Sequence, residues 1–178
     1  MTIHADHPFA GGEADPLRRF RGRMPSAVSV WAAERDGRRA GWTLSSFLVA
    51  HGEPGEVVGV VDEDSDLADL LAAGPALTVN LLGWSQRGLA DAFAGTAPAP
   101  GGAFRLGEWR DTAWGPALAD APAWLGARLS GPPEHAGWGL LVRAVVEHVE
   151  VAADPTEPVL ALARGRYRAV EPVVPPPR

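Results

Sequence analysis

No cysteine occurs in the 178 residues, which excludes disulfides, thiolate metal centres and thiol nucleophiles together. Long apolar runs are also missing: the longest are strand-sized, far short of the roughly 20 residues a membrane helix needs. The residues before Asp15 include His, Asp and Glu without an apolar segment, so they do not read as a signal peptide. A cytoplasmic protein with no membrane association is expected. Excess positive charge is lacking too. The formal net charge of −6 repels polyanions at long range and argues against a nucleic-acid partner. The two basic runs, Arg18 to Arg23 and Arg38–Arg39, have acidic neighbours. No Gly-x-Gly-x-x-Gly follows a strand, so the usual dinucleotide cradle is absent.

What remains is ordinary globular material, 46% hydrophobic and 21% charged, enough for one domain with a sizeable core. Residues 1–14 read as a leader, 15–170 as a single domain and 171–178 as a proline-rich tail. Asp15–Pro16 opens a helix, carboxylate at the cap and proline at the first helical position. Leu17, Phe20 and Met24 recur at helical spacing, which predicts a face packed on the body of the protein. Ala27–Glu34 and Ala40–Phe47 flank Asp36–Gly37, a strong hairpin signal because both residues accept positive φ.

Val57–Val61 is a buried strand by pattern, followed by a short helix that Ser65 caps and Gly74–Pro75 ends. Ala76–Leu82 is a further strand. Ser85 is expected to cap a second helix, closed by Gly95. Trp124–Ser130, Leu140–Val151 and Val159–Ala163 complete the strands. Strands joined tightly or through single short helices fit a mainly β, antiparallel barrel with a few flanking helices.

Several pieces carry a resemblance in the right order: Met24 to Trp31, Gly41-Trp-Thr-Leu-Ser-Ser-Phe47, Glu53–Pro54, Ser65 and Val79 to Phe93. Trp114 to Ala121 and Arg164-Gly-Arg-Tyr167 follow. Over roughly residues 17–168 the chain resembles the flavin reductase family, often the reductase half of two-component monooxygenases. The resemblance implies an FMN-binding split β-barrel of antiparallel, Greek-key type and a homodimer with flavin near the subunit boundary. It implies FMN or FAD as cofactor, NAD(P)H as co-substrate, and a flavin-dependent monooxygenase as partner. The flavin would do the redox step while the protein supplies binding and orientation.

By that analogy Trp42, Thr43, Leu44, Ser45 and Ser46 touch the flavin, and Val60, Val61, Asp62 and Ser65 line its other side. His51, Asn80 and Gln86 join as contacts. The hydroxyls of Thr43, Ser45 and Ser46 suit a phosphate or ribityl chain, with Ser65 at a helix start facing the phosphate. The same residues also read plainly: outward strand hydroxyls, a satisfied strand-end Asn80, a solvated Gln86. Asp62-Glu-Asp64 reads as a capped turn rather than a metal site. The five histidines share no ligand spacing, and His148 is expected to face solvent. Of the seven tryptophans, Trp42 alone is placed near the ring, most large aromatics being core. Tyr167 packs either in the core or near the site.

The chain departs from the family at Gly137-Trp-Gly-Leu-Leu-Val-Arg143, where many members carry Gly-Asp-His and a later glycine. Trp138, Gly139 and Arg143 stand at those three positions. His135 is a substitute from a shifted loop, and an inward Arg143 would suit a nicotinamide phosphate. Three readings follow: an FMN reductase, an FMN-binding carrier or sensor without reductase activity, and a related barrel holding haem or a deazaflavin.

Overall fold

The computed structural model describes residues 15–153 and 157–171. The leader and the tail beyond Glu171 lie outside the described residues. In chain order the elements are α1 (Pro16–Arg23), β1 (Ser26–Ala27), β2 (Ser29–Arg35), β3 (Arg38–Leu44), β4 (Phe47–Ala50) and β5 (Glu56–Asp62). Then come α2 (Asp66–Ala73), β6 (Ala76–Leu81), α3 (Arg87–Phe93), β7 (Trp109–Thr112), β8 (Gly115–Leu118) and β9 (Ala123–Leu129). The last four are β10 (Glu134–Ala136), β11 (Gly139–Val151), β12 (Val159–Ala163) and β13 (Arg166–Val170).

An eight-stranded antiparallel sheet runs β3-β2-β6-β9-β11-β5-β4, with β10 pairing β11. Its two ends, β3 and β4, are neighbours in the chain, separated only by Ser45 and Ser46. A flat sheet of this width cannot bring its ends within two residues of each other, so the sheet must curl. The result is a half-barrel. At its seam β3 pairs with β2 alone and β4 with β5 alone. Asp36 (φ 53°) and Gly37 (φ 77°) make the β2–β3 turn, as the dipeptide predicts.

Inside the curl, Trp31, Leu44, Val57, Val61, Leu77 and Val142 pack with the apolar face of α2. Ser65 caps α2 by accepting from the Ala68 N–H at 3.2 Å, and Leu67, Leu70 and Leu71 point inward. A second cluster of Val28, Val30, Leu82, Leu89, Phe93 and Leu160 lies under α3. Every side chain of β2 from Ser29 to Ala33 is buried, because α2 packs on one side and β8 and α3 on the other.

Three expectations need correction. The apolar residues of α1 do not pack on the body: Leu17, Phe20 and Met24 are 72%, 65% and 53% exposed. The helix sits on the rim of the sheet, and no element among the described residues covers that face. Ser85 is not a cap; its N–H bonds Glu157, while the Gln86 side chain takes the Gly83 N–H at 2.8 Å. His148 does not simply face water, since its ring stacks on Trp114 at 5.2 Å between centroids. Residues 103–118, for which no element was expected, hold a helical turn and the β7–β8 hairpin.

Candidate functional site

The seam holds a cleft of about 510 Å³, within the roughly 300–1,000 Å³ range of small-molecule sites. One wall is β3 with Trp42, Thr43 and Leu44; the other is the end of β5 with Val60, Val61 and Asp62. The Ser45–Ser46 bend closes one end, and Ala136, Trp138 and Gly139 of the β10–β11 turn flank it. Strand pairing explains the opening. The β4–β5 ladder stops at Phe47↔Gly59, so β5 runs three residues past its partner, and β3 offers its unpaired edge across the gap. Unpaired strand edges carry free N–H and C=O groups, which a polar planar ligand can meet.

Eight of the twelve residues expected at a flavin meet at this cleft, but not all through side chains. Leu44 and Val61 are 2% and 0% exposed; their side chains belong to the core, leaving backbone for a ligand. Thr43 Oγ1 donates to the Ala90 carbonyl at 2.8 Å, tying β3 to α3. Asp62 Oδ1 accepts the Asp64 N–H at 3.0 Å within its own turn. Ser46 Oγ accepts from Arg21 Nη2 at 2.6 Å, which brings a guanidinium to the bend. Ser45 Oγ makes no hydrogen bond among the described residues.

The other four lie elsewhere. Ser65 is 5% exposed and its hydroxyl both donates to the Asp62 carbonyl and caps α2, so no donor is left over. Asn80 is fully buried: Nδ2 donates to the Val30 carbonyl and Thr78, and Oδ1 accepts the Leu118 N–H at 2.8 Å. It clamps β8 onto β6. Gln86, 9% exposed, holds the Gly83 N–H and the Asp120 carbonyl. His51 sits in the β4–β5 turn and borders neither cavity. Arg143 does not turn inward; its Nε and Nη2 donate to Glu56 Oε2 at 3.0 and 2.7 Å, which raises its already high pKa. His135 is 80% exposed, with Nδ1 3.4 Å from Glu63.

A second cavity of about 920 Å³ joins the first, the two sharing Arg21, Ser45, Ser46 and Val60. Arg21 and Arg164 line it with Tyr167, whose hydroxyl donates to Asp91 Oδ1 at 2.8 Å. Burial and that carboxylate together push the phenol well above its usual pKa. Sequence reasoning treated Arg21 only as part of a basic run; the signal for its role was its place one turn before the chain enters the sheet. Trp138, 95% exposed beside the cleft, was noted only as a departure.

The lining fits a flavin: apolar and aromatic walls for a planar ring, a free hydroxyl and strand-edge groups for its polar edge, and a guanidinium for phosphate. Among the described residues no side chain fills the space.

The comparisons agree. Residues 21–171 match the flavin reductase like domain. FMN reductase (NADH) RutF 1 of Methylorubrum extorquens is 30% identical over 171 residues, covering 96% of this chain and 83% of the relative. The reductase component of the FADH(2)-dependent resorcinol hydroxylase of a Rhizobium species is 32% identical over 101 residues, 56% of each chain. Among solved structures, the NADH:FAD oxidoreductase SgcE6 of Streptomyces globisporus superposes with a TM-score of 0.78 at 24% identity, over 92% of this chain and 99% of that one. A homologue of nitrilotriacetate monooxygenase component B from Mycobacterium thermoresistibile gives 0.79 at 22% identity, over 94% and 93%. With the match spanning 21–171 and a curled antiparallel sheet to house it, the chain belongs to the flavin reductase-like family.

Proposed function

We propose that this protein is a cytoplasmic NAD(P)H-dependent FMN reductase whose half-barrel is the FMN-binding split barrel and whose reduced flavin serves an oxygenase partner. The observation that carries it is the open seam between β3 and β5, where the Ser45–Ser46 bend and Arg21 face a cleft of about 510 Å³. The names of the relatives, an FMN reductase and a hydroxylase reductase component, support the activity and the partner. Among the described residues no helix is long and apolar enough to cross a membrane. Residues 15–170 act as one unit in this reading.

When bound, the flavin accepts hydride from the reduced nicotinamide. The chain's part is to bind and orient. Ser45 and the β3 edge bond the polar rim of the ring, Arg21 takes phosphate charge, and Trp42 and Val60 keep water from its faces. The exposed apolar stripe of Leu17, Phe20 and Met24 on α1, with Leu48 and Val49 on β4, is covered by a second copy in a homodimer.

The reading as an FMN carrier or sensor draws on one observation: Arg143 is engaged by Glu56 and offers nothing to a nicotinamide phosphate. One experiment separates the two. Purified protein is mixed with FMN and either nicotinamide, and nicotinamide oxidation is followed by absorbance. Turnover above the flavin-only blank establishes the reductase; bound yellow flavin without turnover establishes the carrier; no flavin bound overturns both.

A further inference from the structure

One of the seven tryptophans stands apart from the rest. The others are buried or half-buried against groups of the chain, as Trp31 is on Phe47 and as Trp114 and Trp124 are on His148. Trp138 has no such partner. Among the described residues it makes no hydrogen bond or ring contact, and at 95% it is the most exposed of the large apolar side chains. A single exposed apolar residue is ordinary on a protein surface. This one borders the seam cleft.

Nothing local asks for an indole at that place. The Ala136↔Gly139 pair leaves Gly137 and Trp138 as the two turn residues of the β10–β11 hairpin. Gly137, at φ 65°, supplies the positive φ that a tight hairpin needs at its first central position, so position 138 carries no such demand. The backbone around it is nonetheless closely held. Gly139 pairs with Asp62 and Leu140 with Val61, both residues of the β5 wall of the cleft. A Cβ on Gly139 would stand 2.7 Å from the Val61 carbonyl oxygen and 2.9 Å from Val60 Cγ1. The chain therefore lies flush on that wall, and the indole one residue earlier is carried at its lip. Exposed side chains change rotamer in picoseconds to nanoseconds, so the ring is free to turn toward the opening.

We propose that Trp138 is a ligand-binding residue of the seam, its indole closing over the cleft and stacking on the flat heterocycle held there. The proposal rests on the reading of the seam as the flavin-ring site. Ala136, Trp138 and Gly139 form the flank of the cleft, and of the three only Trp138 has a side chain large enough to cover a ring. Stacking removes two apolar faces from water and adds the attraction between offset π systems. The heterocycle is the flavin ring itself or a nicotinamide laid on it. Both present the same flat π face, and the test tells them apart.

The test is fluorine NMR of the full chain labelled with fluorotryptophan, the Trp138 resonance being the one missing from Trp138→Phe. In ligand-free protein a soluble gadolinium chelate is expected to broaden this resonance, as exposure requires. If the indole stacks on the flavin, FMN alone shifts the resonance and shields it from the chelate. If it stacks on the nicotinamide, the shift and the shielding come only when NAD+, which cannot reduce the flavin, is added to the FMN complex. In either case Trp138→Ser, a residue suited to the turn, weakens binding of that ligand roughly tenfold, while Trp138→Phe keeps most of the affinity. FMN bound in a fluorescence titration, with the Trp138 resonance unmoved by either ligand, overturns the proposal and leaves the flavin reading standing. Wild-type affinities in Trp138→Ser do the same. A resonance already shielded before any ligand is added overturns it too, since the indole is then covered by protein. Failure of the wild type to bind FMN removes the flavin reading, and this role with it.

Discussion

Arg21 Nη2 and Ser46 Oγ meet at 2.6 Å across 25 residues of chain, fastening the C-terminal turn of α1 to the bend where the curled sheet changes edge. The contact puts a cation and two serine hydroxyls at one end of the seam cleft.

Replacing Ser45 and Ser46 together with alanine is expected to weaken FMN binding. Two net hydrogen bonds of about 0.5–1.5 kcal/mol each correspond to a loss on the order of tenfold or more. Fluorescence titration of FMN measures it, and an unaltered dissociation constant would place the flavin elsewhere.

Asn80 is expected to behave in the opposite way. Asn80→Ala strands the buried Leu118 N–H, so stability falls by about 1–3 kcal/mol in a denaturant melt. FMN affinity of the folded fraction stays at the wild-type value, because the amide lies in the core. A selective loss of flavin binding without loss of stability would contradict this placement.

Gly59 and Trp31 form a tight pair: a Cβ on Gly59 would stand 2.6 Å from Trp31 Cη2. Gly59→Ala must displace a fully buried indole, at a cost of about 1–3 kcal/mol. Thermal melts check this, and a variant as stable as wild type would mean the core around Trp31 yields more easily than its packing suggests.

Glu147 accepts from Trp114 Nε1 at 2.6 Å and from Arg128 Nε at 3.0 Å, and these contacts hold its carboxyl below the usual range. The folded state therefore binds this proton less readily than the unfolded chain. The stabilisation is present above the unfolded pKa and is lost as pH falls through the lowered one. Relative to Glu147→Gln, wild type is expected to be more stable near about pH 7, with the difference shrinking as pH falls below the ordinary carboxylate range. A difference that persists in acid would show that the carboxylate charge is not its source.

The local rules of the chain were enough for much of this protein. The Asp36–Gly37 turn, the Ser65 cap and the strand at Val57–Val61 follow from φ preference, side-chain capping and apolar runs within a few residues. The ordered pieces from Met24 to Phe93 were enough to point to the family. Tertiary structure decided the rest, because it depends on which strands end beside which. Identical-looking polar residues divided there: Ser45 fell at the seam, whereas Asn80 was spent holding β8 on β6. Helical spacing in α1 correctly described an apolar face but could not say whether this chain covers it. Arg21 and Arg164, 143 positions apart in sequence, face one cavity only because the curl of the sheet brings α1 and the β12–β13 turn together.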